Sequence, residues 1–378
     1  MIYENILRNN ANVLIEAFVK DNIIFKTQNG PYIDDETKVR AMSHLAVIMA
    51  VEIKNYQRED LIPSLERLGS KILAYGHNGL FIMRKKEGKD VYNGVIGHAW
   101  LLEGLLYIYS ITKDNKYLDS FKQIIDNHLF NESVSVWYCP NTNIIYDHTL
   151  NHQLWYAAIL SKANVYLKSE KYEKEISKFL DNLLNNMRIN KKGRINHYVQ
   201  KTSSKKEFVK LTIKHYIYLL KEFLNMPSLK YKENGYHIFN LVALARIYEV
   251  YPEHSIFCSK KIKTAFDYCS RNELKKGLMS NCYKKDVSLK NKFDDNNVMI
   301  NIYGIPYNVP GFELMYISKI MPSYISQDVA NYYFEQQIKW SFTENGEINE
   351  NIIDKNIFRY RIYEYYLYLE KNHASFER

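Results

Sequence analysis

Glycine and proline, which interrupt helices, are scarce in this chain of 378 residues, and long apolar runs that could span a membrane are lacking. Only 14 glycines and 8 prolines occur, which excludes collagen-like and Pro/Gly-rich disordered classes and favours a protein rich in helix. No apolar run reaches membrane length, and the opening Met1-Ile2-Tyr3-Glu4-Asn5 lacks the basic and apolar regions of a signal peptide. We therefore expect a cytoplasmic protein without membrane insertion.

Cysteines are equally sparse, and they are Cys139, Cys258, Cys269 and Cys282. They form no CxxC pair and show no spacing typical of metal ligands, so we interpret them as free thiols in a reducing compartment. The sequence accordingly predicts no metal site and no cofactor.

Positive charge is in excess, with a formal net charge of +9. The lysines are scattered over the outer faces of predicted helices and do not cluster with aromatic residues, as they do in nucleic-acid binders. The chain is also rich in Lys, Asn, Ile and Tyr, so we attribute the charge to compositional bias and predict no nucleic-acid partner. With 46% hydrophobic residues, residues 1–378 can bury one large core as a single domain.

A buried helix followed by an amphipathic helix recurs along the chain at intervals of roughly 50 to 70 residues, which is the signature of a repeat. Five of the buried helices lie near 39–49, 95–106, 154–163, 235–252 and 358–369, and another begins at 305–313. Their amphipathic partners lie near 59–75, 117–128, 171–187, 255–271, 326–341 and 3–20.

A helix that is apolar nearly all round must be wrapped by other helices. A closed double ring of helical hairpins achieves this, so we predict an all-α fold with few or no strands. An open superhelix of helical repeats is the alternative. Residues 207–225 form a further predicted helix, which is either an inner helix or an insertion near 190–230.

Two sequence segments resemble the inner helix, turn and outer helix of the (α/α)6 toroid superfamily. They are Asn93-Gly94-Val95-Ile96-Gly97-His98-Ala99-Trp100-Leu101-Leu102-Glu103 and Tyr107-Ile108-Tyr109-Ser110-Ile111-Thr112-Lys113-Asp114-Asn115-Lys116-Tyr117-Leu118. The superfamily includes six-hairpin glycosidases, sugar 2-epimerases, glucuronyl C5-epimerases, heparinase-type polysaccharide lyases and lanthionine synthetase cyclases. The resemblance implies a carbohydrate-active enzyme with an oligosaccharide or polysaccharide substrate.

A second, shorter resemblance concerns the polar run that opens the third buried helix. Asn151-His152 is similar to a similarly placed Asn-His in heparinase-type lyases, and Tyr146-Asp147-His148-Thr149-Leu150-Asn151-His152-Gln153-Leu154 resembles a phrase of the glucuronyl C5-epimerases. The Cys and Cys-His zinc ligands of the cyclases have no counterpart here.

In such a ring, the N-terminal ends of the inner helices converge on one face, where they favour anionic groups. Many polar groups between Asp147 and His152 would be costly to bury without purpose. We predict His152, His148, Asp147 and Tyr236 as catalytic residues. We predict substrate-binding roles for Asp35, Arg40, His44, Asn93, His98, Asn151, Trp155, His237, Asn240, Tyr307 and Glu313.

Several of these residues also have a purely structural interpretation. His98 and Glu103 are typical of a paired polar core, Trp100 and Trp155 of apolar packing, and Asp34-Asp35-Glu36 of a helix N-cap. His237 and Asn240 could instead hold neighbouring backbone groups in place.

Two mechanisms compete for this face. Hydrolysis requires one carboxylic acid and a second carboxylate, and the candidates are Asp34 or Asp35, Glu103, Asp147 and Glu313. In β-elimination or C5-epimerisation, a His or Tyr removes the proton beside a uronate carboxyl group. The candidates are His152 or His148 with Tyr156 or Tyr236, and Asn151 or Arg40 would bind the carboxylate. We favour uronate chemistry because His, Asn and Tyr outnumber well-placed carboxylate pairs.

The sequence therefore predicts an enzyme that acts on an acidic, uronate-containing oligo- or polysaccharide by lyase-type, epimerase-type or hydrolytic chemistry. The resemblance to the toroid superfamily implies a surface-polysaccharide pathway as its setting. A helical-repeat scaffold that binds a peptide or protein is the alternative, and a lanthionine-cyclase-like protein is a third hypothesis. Inner-helix N-termini that meet in one closed pocket would favour the enzyme, whereas an open groove would favour the scaffold.

Overall fold

The computed structural model describes residues 2–142, 146–201, 229–279 and 301–373, together with single residues between 209 and 224. The predicted helix at 207–225 lies mostly outside the described residues, as do most of the predicted insertion and Cys282. All that follows concerns the described part of the chain.

Six long helices form a closed inner ring. Each packs against the next in chain order, and the last packs against the first. This closure confirms the predicted all-α double ring over an open superhelix. The inner helices are α2 (Lys38–Tyr56), α4 (Gly94–Thr112), α6 (Leu150–Leu167), α9 (His237–Tyr248), α12 (Pro310–Ile320) and α15 (Tyr363–His373).

The outer layer consists of amphipathic helices that return the chain between inner helices. N-terminal helix α1 packs on α2 and α14, and so completes the ring. The outer and connecting helices are α1 (Ile2–Asp21), α3 (Ile62–Leu73), α5 (Asn115–Asp126), α7 (Glu170–Asn186), α8 (Lys230–Gly235), α10 (Lys260–Asp267), α11 (Asn272–Met279), α13 (Gln327–Ser341) and α14 (Lys355–Arg361).

Helix α4 shows why the ring closes. Contrary to the expectation that no apolar run reaches membrane length, this helix has the length and apolar composition of a membrane span, but 83% of its most apolar stretch is buried inside the fold. Gly104 lies so close to α2 that an added Cβ would stand 2.7 Å from the Cα of Ser43. A glycine at this crossing allows the two inner helices to approach closely. The apolar character of α4 therefore serves packing between helices.

Strands are limited to short antiparallel pairs in the loops. They are Gln28–Asn29 with Asp34–Asp35, Gly76–His77 with Leu80–Phe81, and Phe130–Asn131 with Val136–Trp137.

The prediction that acidic residues from Asp34 to Glu36 cap α2 is wrong. Helix α2 begins at Lys38, and the Thr37 side chain caps it by accepting a hydrogen bond from the Val39 amide. Asp34 lies in the strand pair and forms ion pairs with basic residues instead.

Candidate active site

A cavity of about 450 Å³ lies where the N-terminal ends of the inner helices meet, a volume within the range of small-molecule sites. Every inner helix or the loop that leads into it contributes to the wall. The lining residues are Asn29, Tyr32, Arg40, Arg84, Lys89, Asp90, Asn93, Gly94, Ile96, Trp100, Cys139, Tyr146, Asp147, His148, Thr149, Asn151, His152, His197, Lys232, Tyr236, Phe239, Tyr307, Asn308 and Arg361.

An aspartate–histidine pair stands at the start of α6. Asp147 Oδ2 lies 2.6 Å from His152 Nδ1, a distance typical of a strong, charge-assisted hydrogen bond. The carboxylate can only accept, so Nδ1 carries the proton and Nε2 is the basic nitrogen when the ring is neutral. The His152 side chain is 22% exposed, and among the described residues Nε2 has no hydrogen-bond partner. The pair can therefore accept a proton at Nε2.

The local sequence fixes Asp147 in this position. Its Oδ1 accepts from the Thr149 amide at 2.9 Å and its Oδ2 accepts from the Val95 amide, at the N-terminus of α4, at 3.2 Å. The buried Gln153 side chain donates to the Asp147 carbonyl at 3.0 Å. The carboxylate is thus held by two helix-terminal segments as well as by His152.

The electrostatics keep Asp147 ionised. Burial by itself would raise the pKa of Asp147, but the charge and hydrogen bond of His152, with the Thr149 and Val95 amides, bring that pKa below its ordinary value. The ionised Asp147 carboxylate accepts the Nδ1 proton of His152 and so fixes the orientation and the tautomer of the ring. Asp147 is consequently an orienting group, and because its carboxyl group is ionised at neutral pH it has no proton to donate.

Gly94 is the residue that makes room for this pair. Its φ is +63°, and an added Cβ would lie 1.7 Å from Asp147 Oδ2. The positive φ and the close approach each favour glycine. The Gly94 amide donates to the Asp90 carboxylate, so a second aspartate caps the start of α4.

Asn151 presents an unsatisfied group beside the pair. It is 2% exposed and lines the cavity. Its Oδ1 has no hydrogen-bond partner among the residues that the structure describes. Unpartnered buried polar atoms are rare in native proteins because they cost free energy. A ligand hydroxyl or amide in the cavity would supply the missing donor.

Two buried arginines form another part of the wall. Arg40 donates to Glu36 at 2.9 Å, and its guanidinium stacks on the Trp100 ring, 3.8 Å from the ring centroid. Arg361 pairs with Glu313 at 3.2 Å and with Glu364 at 2.7 Å. Carboxylates from the protein therefore offset both positive charges.

Tyrosines cover the side of the cavity near α8. The ring of Tyr236 lies 6.0 Å from that of Tyr303, and Tyr307 and Tyr32 also line this wall. Burial, followed by the neighbouring tyrosines, raises the pKa of Tyr236 well above its ordinary value. Its hydroxyl thus stays protonated and can donate a hydrogen bond or a proton.

All four predicted catalytic residues line this one cavity, so the segments near 147 and 237 do meet. Part of the predicted binding set joins them there. These binding residues are Arg40, Asn93, Asn151 and Tyr307.

The remaining predicted binding residues do not line the cavity: Asp35, His44, His98, Trp155, His237, Asn240 and Glu313. Asp35 is an exposed partner of Lys26 at 2.9 Å. His44 is buried; its Nε2 accepts from Arg40 Nε at 3.1 Å, and its ring stacks on Tyr363 with centroids 4.1 Å apart. His44 therefore supports a cavity residue from behind.

His98 belongs to a buried histidine pair. Its Nδ1 lies 2.8 Å from His128 Nε2, and His128 Nδ1 lies 3.0 Å from the Tyr138 carbonyl. Burial lowers the pKa of His128 to about 4 and that of His98 still more clearly, so both rings are neutral. The predicted pairing of His98 with Glu103 is wrong, because Glu103 forms an ion pair with Arg246.

The other outlying residues hold backbone groups. Trp155 is fully buried and donates to the Phe239 carbonyl at 3.1 Å. His237 Nε2 lies 3.0 Å from the Ala265 carbonyl, and Asn240 donates to the carbonyl four residues earlier at 2.7 Å. These side chains do not reach the cavity, so they could affect the substrate only through the residues that they hold in place.

Sequence reasoning missed several lining residues, chiefly Tyr32, Arg84, Lys89, His197, Lys232 and Arg361. Most lie in loops or short helices that lack a periodic pattern. The one available signal was the aromatic and basic content of these loops. Among the described residues, no three His, Cys, Asp or Glu side chains come together as metal ligands.

No protein-family model matches the sequence. The chain is 26% identical over 380 residues to archaeal glycosylation protein Q of Haloferax volcanii, and the match covers 95% of both proteins.

Solved structures with the same architecture come from carbohydrate-active enzymes. A cellobiose 2-epimerase from Bacillus thermoamylovorans matches with a TM-score of 0.58 at 10% identity, over 96% of this chain and 98% of that one. An unsaturated glucuronyl hydrolase specific for heparin matches with a TM-score of 0.58 at 8% identity, over 99% and 98% of the two chains. At such identities the likeness establishes the fold, which is an (α/α)6 toroid.

Proposed function

We propose that the protein is an enzyme that moves a proton on a uronate residue of an acidic oligosaccharide, by β-elimination or C5-epimerisation. The observation that carries the proposal is the Asp147–His152 pair in the cavity wall, in which Nδ1 is held at 2.6 Å and Nε2 has no partner within the part of the chain that the structure describes. An imidazole so oriented is suited to act as a general base. The likeness to toroid enzymes that act on carbohydrates supports the substrate class.

In the proposed reaction, His152 Nε2 removes the proton from C5 of the uronate. In elimination, the electron pair forms the C4–C5 double bond, the C4–O bond breaks, and the leaving oxygen takes a proton from the Tyr236 hydroxyl. In epimerisation, the carbanion stabilised by the carboxyl group takes a proton at C5 from the Tyr236 hydroxyl on the opposite face, and proton exchange with water then reprotonates Tyr236 and deprotonates His152. Asn151 and Arg40 are proposed to bind the uronate carboxyl group as negative charge develops on it.

Hydrolysis is less well supported by the lining of the cavity. Among the described residues, its acidic side chains are Asp90 and Asp147. Both accept hydrogen bonds from backbone amides, and the pKa of Asp147 is lowered, whereas a hydrolase needs one carboxyl group that stays protonated. The other predicted acids, Glu103 and Glu313, are buried in ion pairs outside the cavity.

The scaffold hypothesis loses its main support, because the inner ring is closed and the helix N-termini meet in one cavity. The likeness to an archaeal glycosylation protein supports a role in a glycosylation pathway. Such a pathway would include the synthesis of surface polysaccharides.

The proposal is tested by incubating the protein with uronate-containing oligosaccharides in deuterated water. We expect deuterium at C5 of a saturated product if the enzyme epimerises, or ultraviolet absorbance from an unsaturated uronate if it eliminates. New reducing ends, formed without either signal, would contradict proton-transfer chemistry and favour hydrolysis.

A further inference from the structure

A row of exposed apolar side chains lies in the segment between residues 201 and 232. We call it the apolar stripe, and define it as Val209, Ile213, Ile217, Leu220 and Leu224. The first four are helical, and Leu224 follows in a turn whose amide donates to the Leu220 carbonyl at 2.9 Å. Because the members of the stripe are three or four positions apart, they lie on one side of a helix.

Each residue of the apolar stripe is between 48% and 58% exposed. Outer helices α3 and α5, by contrast, bury their apolar sides against inner helices. Single exposed apolar residues are common on protein surfaces, but a contiguous row of large ones marks a site of interaction. Contact with another apolar phase would release the free energy that these side chains forgo in water.

Lysines accompany the apolar stripe. Residues 201–232 contain eight lysines and two glutamates, in a chain whose net charge is +9. Three of the lysines, Lys210, Lys214 and Lys221, each directly follow a residue of the stripe in the sequence. Helical periodicity predicts that such residues form a second row along the edge of the stripe. Apolar side chains bordered by lysines are typical of a helix that lies in the head-group region of a membrane.

Both ends of the segment reach the wall of the cavity. The Lys201 carbonyl accepts from the Tyr146 hydroxyl at 3.4 Å, and Tyr146 lines the cavity. Lys232, at the other end, lines the cavity itself. The stripe begins eight positions after Lys201 and ends eight positions before Lys232, which limits each separation to roughly 30 Å. A surface that binds the stripe would therefore lie close to the cavity.

We infer that the apolar stripe docks the protein on a membrane surface rich in anionic lipids, with its apolar side chains in the interface and the lysines at the head groups. The lysines favour this partner over a second copy of the chain, because two copies joined through the stripe would bring like charges together. The stripe occupies one side of a helix, so the segment would lie on the membrane without spanning it. Docking of this kind does not depend on the proposed proton transfer.

Flotation of the full-length protein with lipid vesicles tests the docking. One set of vesicles contains phosphatidylcholine alone, and the other contains phosphatidylcholine and phosphatidylglycerol in equal amounts. We expect the protein to bind the anionic vesicles at least about tenfold more tightly than the neutral ones, with an affinity that falls as salt is added.

A double variant of the stripe tests the apolar contribution. Ile213→Ser with Leu220→Ser should weaken binding to the anionic vesicles by about tenfold or more, because both side chains would leave the interface. The matched control is Val13→Ser with Val165→Ser, which changes two exposed valines on α1 and α6. This control should bind the anionic vesicles as the wild type does.

A second double variant tests the charge. Lys214→Gln with Lys221→Gln should weaken binding to the anionic vesicles by about tenfold at low salt. Lys122→Gln with Lys171→Gln removes the same charge from exposed lysines of α5 and α7, and should keep the wild-type affinity. Circular dichroism verifies that every variant folds.

Failure of the wild type to float with the anionic vesicles would overturn the docking, and so would equal affinity for the two vesicle types. Binding that survives both double variants of the segment would assign the membrane contact to another surface. Dimerisation in solution without vesicle binding, abolished by Ile213→Ser with Leu220→Ser in analytical ultracentrifugation, would show that the stripe joins two copies of the chain instead.

Discussion

The two ends of the inner ring have similar residues and use them differently. At the N-terminal end, Asn151 Oδ1 lies in the cavity wall and finds no partner among the described residues, and His152 lies beside it in the same wall. At the C-terminal end, Glu249 pairs with Lys162 at 3.0 Å and accepts from the Tyr316 hydroxyl at 2.6 Å. The N-terminal end leaves Asn151 for a ligand, whereas the C-terminal end joins Glu249, Lys162 and Tyr316 to one another.

The C-terminal network also joins helices that are not adjacent. The Tyr107 hydroxyl donates to Glu370 at 2.6 Å, and Glu370 pairs with Lys54 at 3.1 Å. The residue types at the two ends would not distinguish a functional site from a structural network of ion pairs and hydrogen bonds. The distinguishing property is whether each buried polar group finds a partner inside the protein.

The largest expected effect is on turnover, at the N-terminal end. Asp147→Asn keeps the shape of the side chain but removes the carboxylate that holds the His152 ring through Nδ1. We expect kcat on the uronate substrate to fall by about 10²- to 10⁴-fold. The control is Asp126→Asn, which changes an exposed aspartate on outer helix α5 and should leave kcat unchanged. A kcat for Asp147→Asn within a few-fold of wild type would show that the pair is structural.

An intermediate effect is expected on stability, at the C-terminal end. Burial alone would raise the pKa of Glu249, but Lys162, Lys371 and the Tyr316 hydrogen bond bring that pKa well below its ordinary value. Glu249→Gln should lower the free energy of unfolding by about 1–3 kcal/mol at pH 7 and leave kcat unchanged. Urea unfolding at several pH values measures this loss of stability.

The pH dependence of this loss has a definite sign. Since the pKa of Glu249 is lower in the folded state, its contribution to stability is complete above the unfolded-state value of about 4.3 and declines as the pH falls towards the folded-state pKa. The difference between wild type and Glu249→Gln should therefore shrink below about pH 4. A difference in the free energy of unfolding that grows on acidification would contradict a stabilising role for the ionised Glu249.

The smallest effect is expected for Asp35, which the sequence suggested as a binding residue. Its carboxylate is exposed and paired with Lys26 outside the cavity. Asp35→Asn should leave both KM and the unfolding midpoint at their wild-type values, because exposed ion pairs contribute little. A clear increase in KM would show that the substrate extends beyond the cavity described above.

The fold could be predicted from the sequence because helical periodicity is a local property. Inner helices such as α4 are apolar nearly all round, outer helices such as α5 are apolar on one side, and their alternation predicts a double ring. The cap of α2 was misassigned because Asp34-Asp35-Glu36 resembles a helix N-cap. Asp34 instead pairs with Lys86 and Lys89, which are distant in the sequence and which no local pattern reveals.

Only the part of the candidate site that lies within one short segment of the sequence could be predicted. The residues from Asp147 to His152 form one dense polar cluster, so their placement at a helix start was accessible. Tyr32, Lys232 and Arg361 come from three distant parts of the chain, and their meeting depends on how the ring closes. His98 and Trp155 lie on inner helices but point into the core, a direction that spacing alone does not specify.

The central claim is that His152, held by Asp147, is the base of an active site at the N-terminal end of the ring. The most direct test is the turnover of an acidic oligosaccharide by His152→Ala, compared with His77→Ala, which changes an exposed histidine outside the cavity, with circular dichroism to verify that both variants fold. We predict that turnover is abolished in His152→Ala and unchanged in His77→Ala. Turnover that persists at the wild-type rate in a folded His152→Ala variant would contradict the claim.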